Sequence, residues 1–199
     1  FIFCSLFIEI KSRQNHWMSM NNKKSLGIFW DIENCPIPDG KSGSSVAMVI
    51  REFIANCHPD CGYAYEFCCA CDTKKMPIKI SEGLNRNGVD ILQVNAVSKN
   101  AADEKLKEKI DKFVEKSEAG SVVVVITGDI NFASTIRSAR RKEFFVILIN
   151  GENCSQDLKN HANEVFDYLG LVQKAEDEKV KLVTSQRNGP EICKLKCLA

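Results

Sequence analysis

Histidine is scarce in this chain, with 3 in 199 residues, and neither sign of charge is in excess: 27 Lys and Arg stand against 26 Asp and Glu. A formal net charge of +1 creates no global field that would gather a polyanion, so any nucleic-acid partner must be held by a local patch. Long apolar runs are lacking too. The stretch from Phe1 to Ile10 (FIFCSLFIEI) is too short to span a bilayer and has no basic region before it, so no membrane association is expected. No G-x-G-x-x-G follows the first apolar run, which argues against a dinucleotide-binding domain, and there is no internal repeat. A chain that opens on Phe1 reads as a fragment or an extension, with Met18 or Met20 as an alternative start.

Cysteine, by contrast, is plentiful, with 10 residues. Disulfide-dense folds are short, secreted and loop-rich, whereas this chain carries aliphatic runs and enough length to bury a core, so reduced thiols in a cytosolic or nuclear setting are expected. Cys57, Cys61, Cys68, Cys69 and Cys71 with His58 form a zinc candidate. Their spacings do not make two short knuckles, and two of the thiols fall in an expected strand with a third directly after it, which favours buried thiols. His16 and His161 have no evident partner.

The pattern along the chain is strand alternating with helix. Leu26-Gly-Ile-Phe-Trp30 reads as a buried strand ending at Asp31 before a turn-prone Asn34-Cys-Pro segment. Val46, Val49, Ile50, Phe53 and Ile54 recur at helical spacing from a start near Ser44, and a second strand runs from Tyr63 to Ala70. Pro77 opens a short helix ending near Asn87-Gly88, before a strand over Val89 to Val94. Ala102, Leu106, Ile110, Phe113 and Val114 line a third helix; Val122 to Ile126 is an entirely β-branched strand, suited to a sheet centre. A helix over Asn131 to Lys142, a strand over Phe144 to Ile149 and a last helix over Ser155 to Tyr168 complete the pattern. The expected fold is a three-layer α/β sandwich around a parallel, Rossmann-like sheet. The expected organisation is an N-terminal extension over 1–24, one domain over 25–170 and a charged tail over 171–199, with both ends largely disordered.

In an open parallel sheet, ligands bind beyond the carboxyl ends of the strands. Asp31 ends the first strand, Asp72 ends the second, Asp103 opens the helix after the third, and Asp129 follows the fourth. Asp103 also falls within the apolar arc of its helix, and an inward acid needs a partner. Carboxylates crowded together repel unless a hard cation neutralises them, which implies Mg²⁺ or Mn²⁺. Any one of these residues is also explained as a helix cap or turn former. Asn34 either orients Asp31 or touches a substrate phosphate, or simply forms the turn before Cys35-Pro36; Glu33 reads as an outer or solvated residue. Lys99, Lys105, Arg137, Arg140 and Arg141 are candidate phosphate contacts, with a solvated basic face as the alternative.

Gly27-Ile-Phe-Trp-Asp31-Ile-Glu-Asn34-Cys-Pro, Cys71-Asp72, Asn95-Ala, Lys99-Asn-Ala-Ala-Asp103-Glu-Lys-Leu and Thr127-Gly-Asp129-Ile-Asn131-Phe, in this order from about Leu26 to Tyr168, resemble the NYN branch of the PIN-like nucleases, in its limkain-type form. The resemblance implies a PIN-like fold and a metal-dependent endoribonuclease acting on single-stranded RNA, with Asp31, Asp72, Asp103 and Asp129 as the acidic centre and Asp31, Asp103 and Asp129 as metal ligands. The broader pattern often has an acid where this chain has Asn131, which can offer a carbonyl oxygen or bind a metal-held water. The resemblance also implies RNA-regulatory protein partners. A cytoplasmic location, RNA granules included, is expected, with nucleus or peroxisome as alternatives. The competing expectation is an RNA-holding or protein-docking module of the same fold without turnover. A phosphorelay receiver is disfavoured, because the strand ending at Ile149 continues as Asn150-Gly151-Glu152 with no lysine.

Overall fold

The computed structural model describes residues 24–61, 66–95 and 100–175. Lys99, His16, Met18, Met20, residues 63–65 of the expected second strand, and the terminal segments 1–23 and 176–199 lie outside the described residues.

Six strands form one sheet in the order β3-β2-β1-β4-β5-β6: β1 Leu26–Trp30, β2 Glu66–Cys71, β3 Asp90–Gln93, β4 Val122–Ile126, β5 Phe145–Asn150 and β6 Glu164–Asp167. Every pairing is parallel. The chain builds outward from β1 to β3, crosses back to β4, then builds outward again, so chain order reverses between β1 and β4. That reversal opens a crevice at the carboxyl end of the sheet.

Strand alternation separates two cores. Val122, Val124 and Ile126 point to one face with Ile28, Trp30 and Phe67; Val123 and Val125 point to the other with Phe29, Cys68 and Ala70. Helices α1 (Gly43–Cys57), α2 (Ile78–Arg86) and α6 (Tyr168–Val172) cover the first face through Val46, Ile50, Ile54, Leu84, Leu171 and Val172. Helices α3 (Ala101–Lys116), α4 (Ala133–Arg141) and α5 (Gln156–Asn160) cover the second through Leu106, Ile110, Phe113, Ile136 and Leu158. The result is the three-layer sandwich that the strand and helix pattern implies.

Capping explains the starts. Ser42 caps α1 by accepting from Ser45 N, and Ser45 Oγ accepts from Ser42 N in return, a capping box. The α1 start lies so close to α2 that a β-carbon on Gly83 would fall 2.8 Å from Ser44 N, so only glycine permits this approach.

One element departs from the sequence pattern. The expected helix over Ser155–Tyr168 is a short helix, an edge strand and a second short helix. Ser155 does cap a helix, accepting from Leu158 N at 3.2 Å, but the helix ends at Asn160. Asn163 then clamps the chain to the sheet: its backbone N–H donates to Val146 O at 2.8 Å, and its side-chain Oδ1 accepts from Val146 N at 2.9 Å. The C-terminal limit expected at residue 170 falls inside α6, whose Leu171 and Val172 are buried, as is Ala175 beyond it.

Candidate active site

Asp31 leaves β1 directly into the crevice. Its backbone N–H still donates to Ile126 O of β4 at 2.9 Å, so the sheet fixes its position, and its side chain is only 4% exposed. Thr127, fully buried one residue beyond β4, donates its hydroxyl to Asp31 Oδ2 at 2.8 Å and accepts from Asp129 N at 3.1 Å. Asn34 N–H donates to Asp31 Oδ1 at 3.2 Å, while Asn34 Oδ1 accepts from Gly128 N at 2.6 Å. Asn34 thus ties the loop after β1 to the loop after β4. A β-carbon on Gly128 would lie 3.0 Å from that same oxygen, so the residue must be small for the bracket to close.

The loop after Asp31 is held from the core as well. Trp30 Nε1–H donates to Cys35 O at 2.8 Å, and Tyr168 O–H donates to Pro36 O at 3.0 Å. Two large buried aromatics therefore spend their polar atoms on the segment that follows Asp31.

Asp103 arrives from elsewhere in the chain. Helix α3 packs on β1 and β2 as it returns from β3 to β4, which carries its first turns over the crevice. Burial, followed by the charges of Asp31 and Asp129, pushes the Asp103 carboxyl up to about 6; Lys107, one turn along, partly offsets this. Asp31 is also raised, chiefly by burial, against the hydrogen bonds from Thr127 and Asn34. The carboxylate of Asp103, half-buried, has no hydrogen bond among the described residues. Asp129 instead caps the 3-10 turn Ile130–Phe132: its carboxylate accepts from Asn131 N at 2.8 Å and from Asn131 Nδ2 at 3.3 Å. Asn131 is exposed and turns its amide nitrogen toward Asp129.

Asp31, Asp103 and Asp129 share one electrostatic neighbourhood. Glu33 joins it from the turn that follows β1, since its charge raises both Asp31 and Asp103. Asp72 is placed differently. Its carboxylate accepts from Lys74 N at 3.1 Å in a local turn, and its backbone N–H donates to Glu33 Oε1 at 3.2 Å. It therefore reaches the centre through Glu33 and is absent from the charges acting on Asp31 and Asp103.

Among the described residues, no group of three or more His, Cys, Asp or Glu side chains is drawn together tightly enough to hold a metal ion as the side chains stand. The donor chemistry nevertheless suits a hard divalent cation: carboxylate oxygens on rigid strand and helix ends, with Asp31 and Asp103 raised chiefly by burial and further by neighbouring like charge. Elsewhere, Cys68, Cys69 and Cys71 are buried thiols of β2, all raised by burial. His161, expected without a partner, lies 3.7 Å from Asp157 Oδ1.

The basic residues are dispersed. Lys105 lies in the second turn of α3 and pairs with Glu108 at 3.2 Å. Arg137 is exposed midway along α4, while Arg140 and Arg141 lie in its last turn, with Arg140 donating to His161 O at 3.2 Å. As α4 starts at the crevice and runs away from it, that last turn lies roughly 10 Å from the start of the helix at 1.5 Å per residue. Lys107 is the cation that acts on Asp103; it pairs with Glu104 at 3.3 Å and lies 5.4 Å from the Phe132 ring centroid.

Set against known families, residues 25–170 match the NYN domain. The chain belongs to the NYN domain family. Meiosis regulator and mRNA stability factor 1 from Bos taurus is 35% identical over 150 residues, 75% of this chain and 8% of that protein. The Xenopus tropicalis protein of the same name is 36% identical over 148 residues, 74% of this chain and 9% of its own length. The Mus musculus protein is 35% identical over 144 residues, 72% of this chain and 8% of its length. The NYN domain chain thus spans less than a tenth of these relatives. Its all-parallel six-stranded sheet with helices on both faces is a PIN-like α/β sandwich.

Proposed function

We propose that this NYN domain is a metal-dependent endoribonuclease that hydrolyses phosphodiester bonds of single-stranded RNA at the crevice between β1 and β4. The observation that carries the reading is Asp103: a half-buried carboxyl held beside Asp31 and Asp129, without a hydrogen bond among the described residues. Burying an acid among like charges is costly, and such sites are concentrated where a cation or a proton is handled. The matched relatives are named as mRNA stability factors, which fits an RNA substrate.

Asp31, Asp103 and Asp129 are the residues that would hold Mg²⁺ or Mn²⁺, with Asp72 acting through Glu33. When bound, such an ion supplies positive charge at the scissile phosphate and makes a coordinated water more acidic. The protein's own share is positioning. The sheet and Thr127 fix Asp31, and the Asn34–Gly128 bond, for which Gly128 must be small, fixes the distance between the two loops. Lys107 partly balances the carboxylates from the α3 side.

A second reading, an RNA-holding module without turnover, has one observation in its favour: Asp129 and Asp72 are engaged as local caps, and no ready metal cluster is formed among the described residues. Melting curves combined with RNA binding in EDTA separate the two. The nuclease reading expects Mn²⁺ to raise the melting temperature, by about 2.7 kcal/mol of added stability at a hundredfold excess over the dissociation constant. It expects this gain to vanish in Asp31→Asn/Asp129→Asn. RNA binding in EDTA without any Mn²⁺-dependent stabilisation decides for the second reading.

For the RNA path, Lys105 and Arg137 are the proposed phosphate contacts nearest the centre, with Arg140 and Arg141 farther out; Lys99, outside the described residues, is proposed from the sequence alone. Replacing Lys105 and Arg137 by Ala should weaken RNA binding and reduce the slope of log affinity against log salt by roughly one to two, because fewer counterions are released. Replacing Arg140 and Arg141 should change that slope less. The reverse ranking would put the strand along the far end of α4.

A further inference from the structure

Next to the acidic centre, on the β1–β2 side, a cavity of about 520 Å³ opens between the loop after β1 and the loop after β2. This lies within the roughly 300–1,000 Å³ of small-ligand sites. Its floor and sides are apolar: Ile37, Pro38, Met76, Pro77 and Ile80 contribute, and Ile37, Met76 and Ile80 are packed against the core, so the walls are supported. Its polar lining comprises Glu33, Asp72 and Asp39 with Lys41 and Lys75; Lys41 Nζ is engaged with Ala175 O, and Glu33 is also the residue whose charge reaches Asp31 and Asp103.

The carboxylates of Glu33 and Asp72 are already oriented. Glu33 Oε1 accepts from Asp72 N at 3.2 Å, and Asp72 Oδ1 accepts from Lys74 N at 3.1 Å. Each has a second oxygen with no hydrogen bond among the described residues. The cavity therefore offers apolar surface for a flat ring and acceptors, rather than donors, along one edge. Lys75, also in the lining, supplies a cation at the side of the second loop.

We infer that this cavity is a nucleobase subsite, in which one unstacked base of the RNA strand inserts between the Pro38 and Met76 walls and presents an N–H-rich edge to Glu33 and Asp72, making guanine the favoured base. The inference rests on the reading of the domain as an RNA nuclease. Single-stranded RNA is recognised through bases splayed out of the stack and read on their hydrogen-bonding edges, and carboxylates accept from base amino groups. Guanine places N1–H and the N2 amino group side by side, so both carboxylates are satisfied. Uracil offers a single N–H flanked by two carbonyls, whose oxygens would face the carboxylates. A base held here also sets the phosphate beside it at the Asp31 crevice, since Glu33 lies two residues from Asp31.

The test uses the whole 199-residue chain and does not depend on turnover. Guanosine and uridine 5′-monophosphates are titrated into wild type, Glu33→Gln and Met76→Trp by calorimetry. The expected result is at least about tenfold tighter binding of the guanosine nucleotide, the scale of one good bidentate base contact, with the preference lost in Glu33→Gln and both nucleotides lost in the filled cavity of Met76→Trp. Equal affinities in the wild type, or an undiminished preference in a folded Glu33→Gln, overturn the subsite; that arm decides even if Met76→Trp fails to fold. Cleavage of RNA lacking any base preference, with equal nucleotide affinities, removes the subsite and leaves the nuclease. Guanosine preference without RNA cleavage removes the nuclease and leaves the subsite.

Discussion

Asp31→Asn should lower the rate of RNA cleavage by at least about a hundredfold while leaving the domain folded and able to bind RNA. The magnitude is that of losing one well-placed electrostatic group, and Asp31 is the best placed of the acids. Its backbone is still part of the β1–β4 ladder, both its oxygens are engaged by Thr127 and Asn34, and it is almost wholly buried. It therefore has little freedom to compensate by moving. Asparagine keeps the shape and can still accept from Asn34 N. Burial raises the Asp31 pKa, so its charged form is penalised in the native state, and the neutral variant should melt at a higher temperature than wild type in the absence of metal. Single-turnover cleavage and a melting curve check both parts. A variant that cleaves at the wild-type rate removes Asp31 from the mechanism.

Asp103→Asn has the second large expected effect, on pH dependence. The Asp103 carboxyl is raised from 3.8 to about 6, so between these values the native state holds a proton that the unfolded state has released. Stability therefore falls as pH rises from about 4 to 6, and the full penalty is present above that window. Asp103→Asn should abolish this part of the slope and raise the metal-free melting temperature at pH 7, while at pH 4 the two proteins should differ little. Divalent-ion affinity has the opposite trend. A cation must displace the Asp103 proton, so Mn²⁺ affinity should rise about tenfold per pH unit below 6 and level off above it. Chemical denaturation at several pH values tests the first part, and Mn²⁺ titration the second. A wild type with the same pH slope as Asp103→Asn contradicts the assignment.

Much of the fold was legible because its signals are strong and local. The β-branched run Val122 to Ile126 could only be a central strand, and the apolar stripe of α3 matches its buried residues. Strand β6 was not legible: Glu164-Val-Phe-Asp167 is four residues long, Val165 is 38% exposed, and its place is secured by the distant Asn163–Val146 bonds rather than by its own pattern. The site was legible to the level of the sheet rim and no further. Strand ends specify which rim a residue occupies, but neither the spatial order of the strands nor the direction of a side chain. Since β1 lies between β2 and β4, Asp129 meets Asp31 at the chain reversal, while Asp72 lies on the other side and turns into its own loop. Glu33 was read as an outer or solvated residue, and it is exposed; what the sequence could not show is its link to Asp72, which is tertiary. Arg140 and Arg141 follow Asp129 closely in sequence, yet the helix carries them away from it.

The central claim, that Asp31, Asp103 and Asp129 form a metal-dependent centre for RNA hydrolysis, is tested most directly by cleavage of an end-labelled single-stranded RNA. The chain is first stripped with EDTA and then supplied with Mn²⁺ or Mg²⁺. The account predicts intact RNA in EDTA, internal cleavage products on addition of either ion, and their loss in Asp31→Asn. Internal cleavage that persists in EDTA, or no cleavage by a folded wild-type chain with either ion, contradicts it.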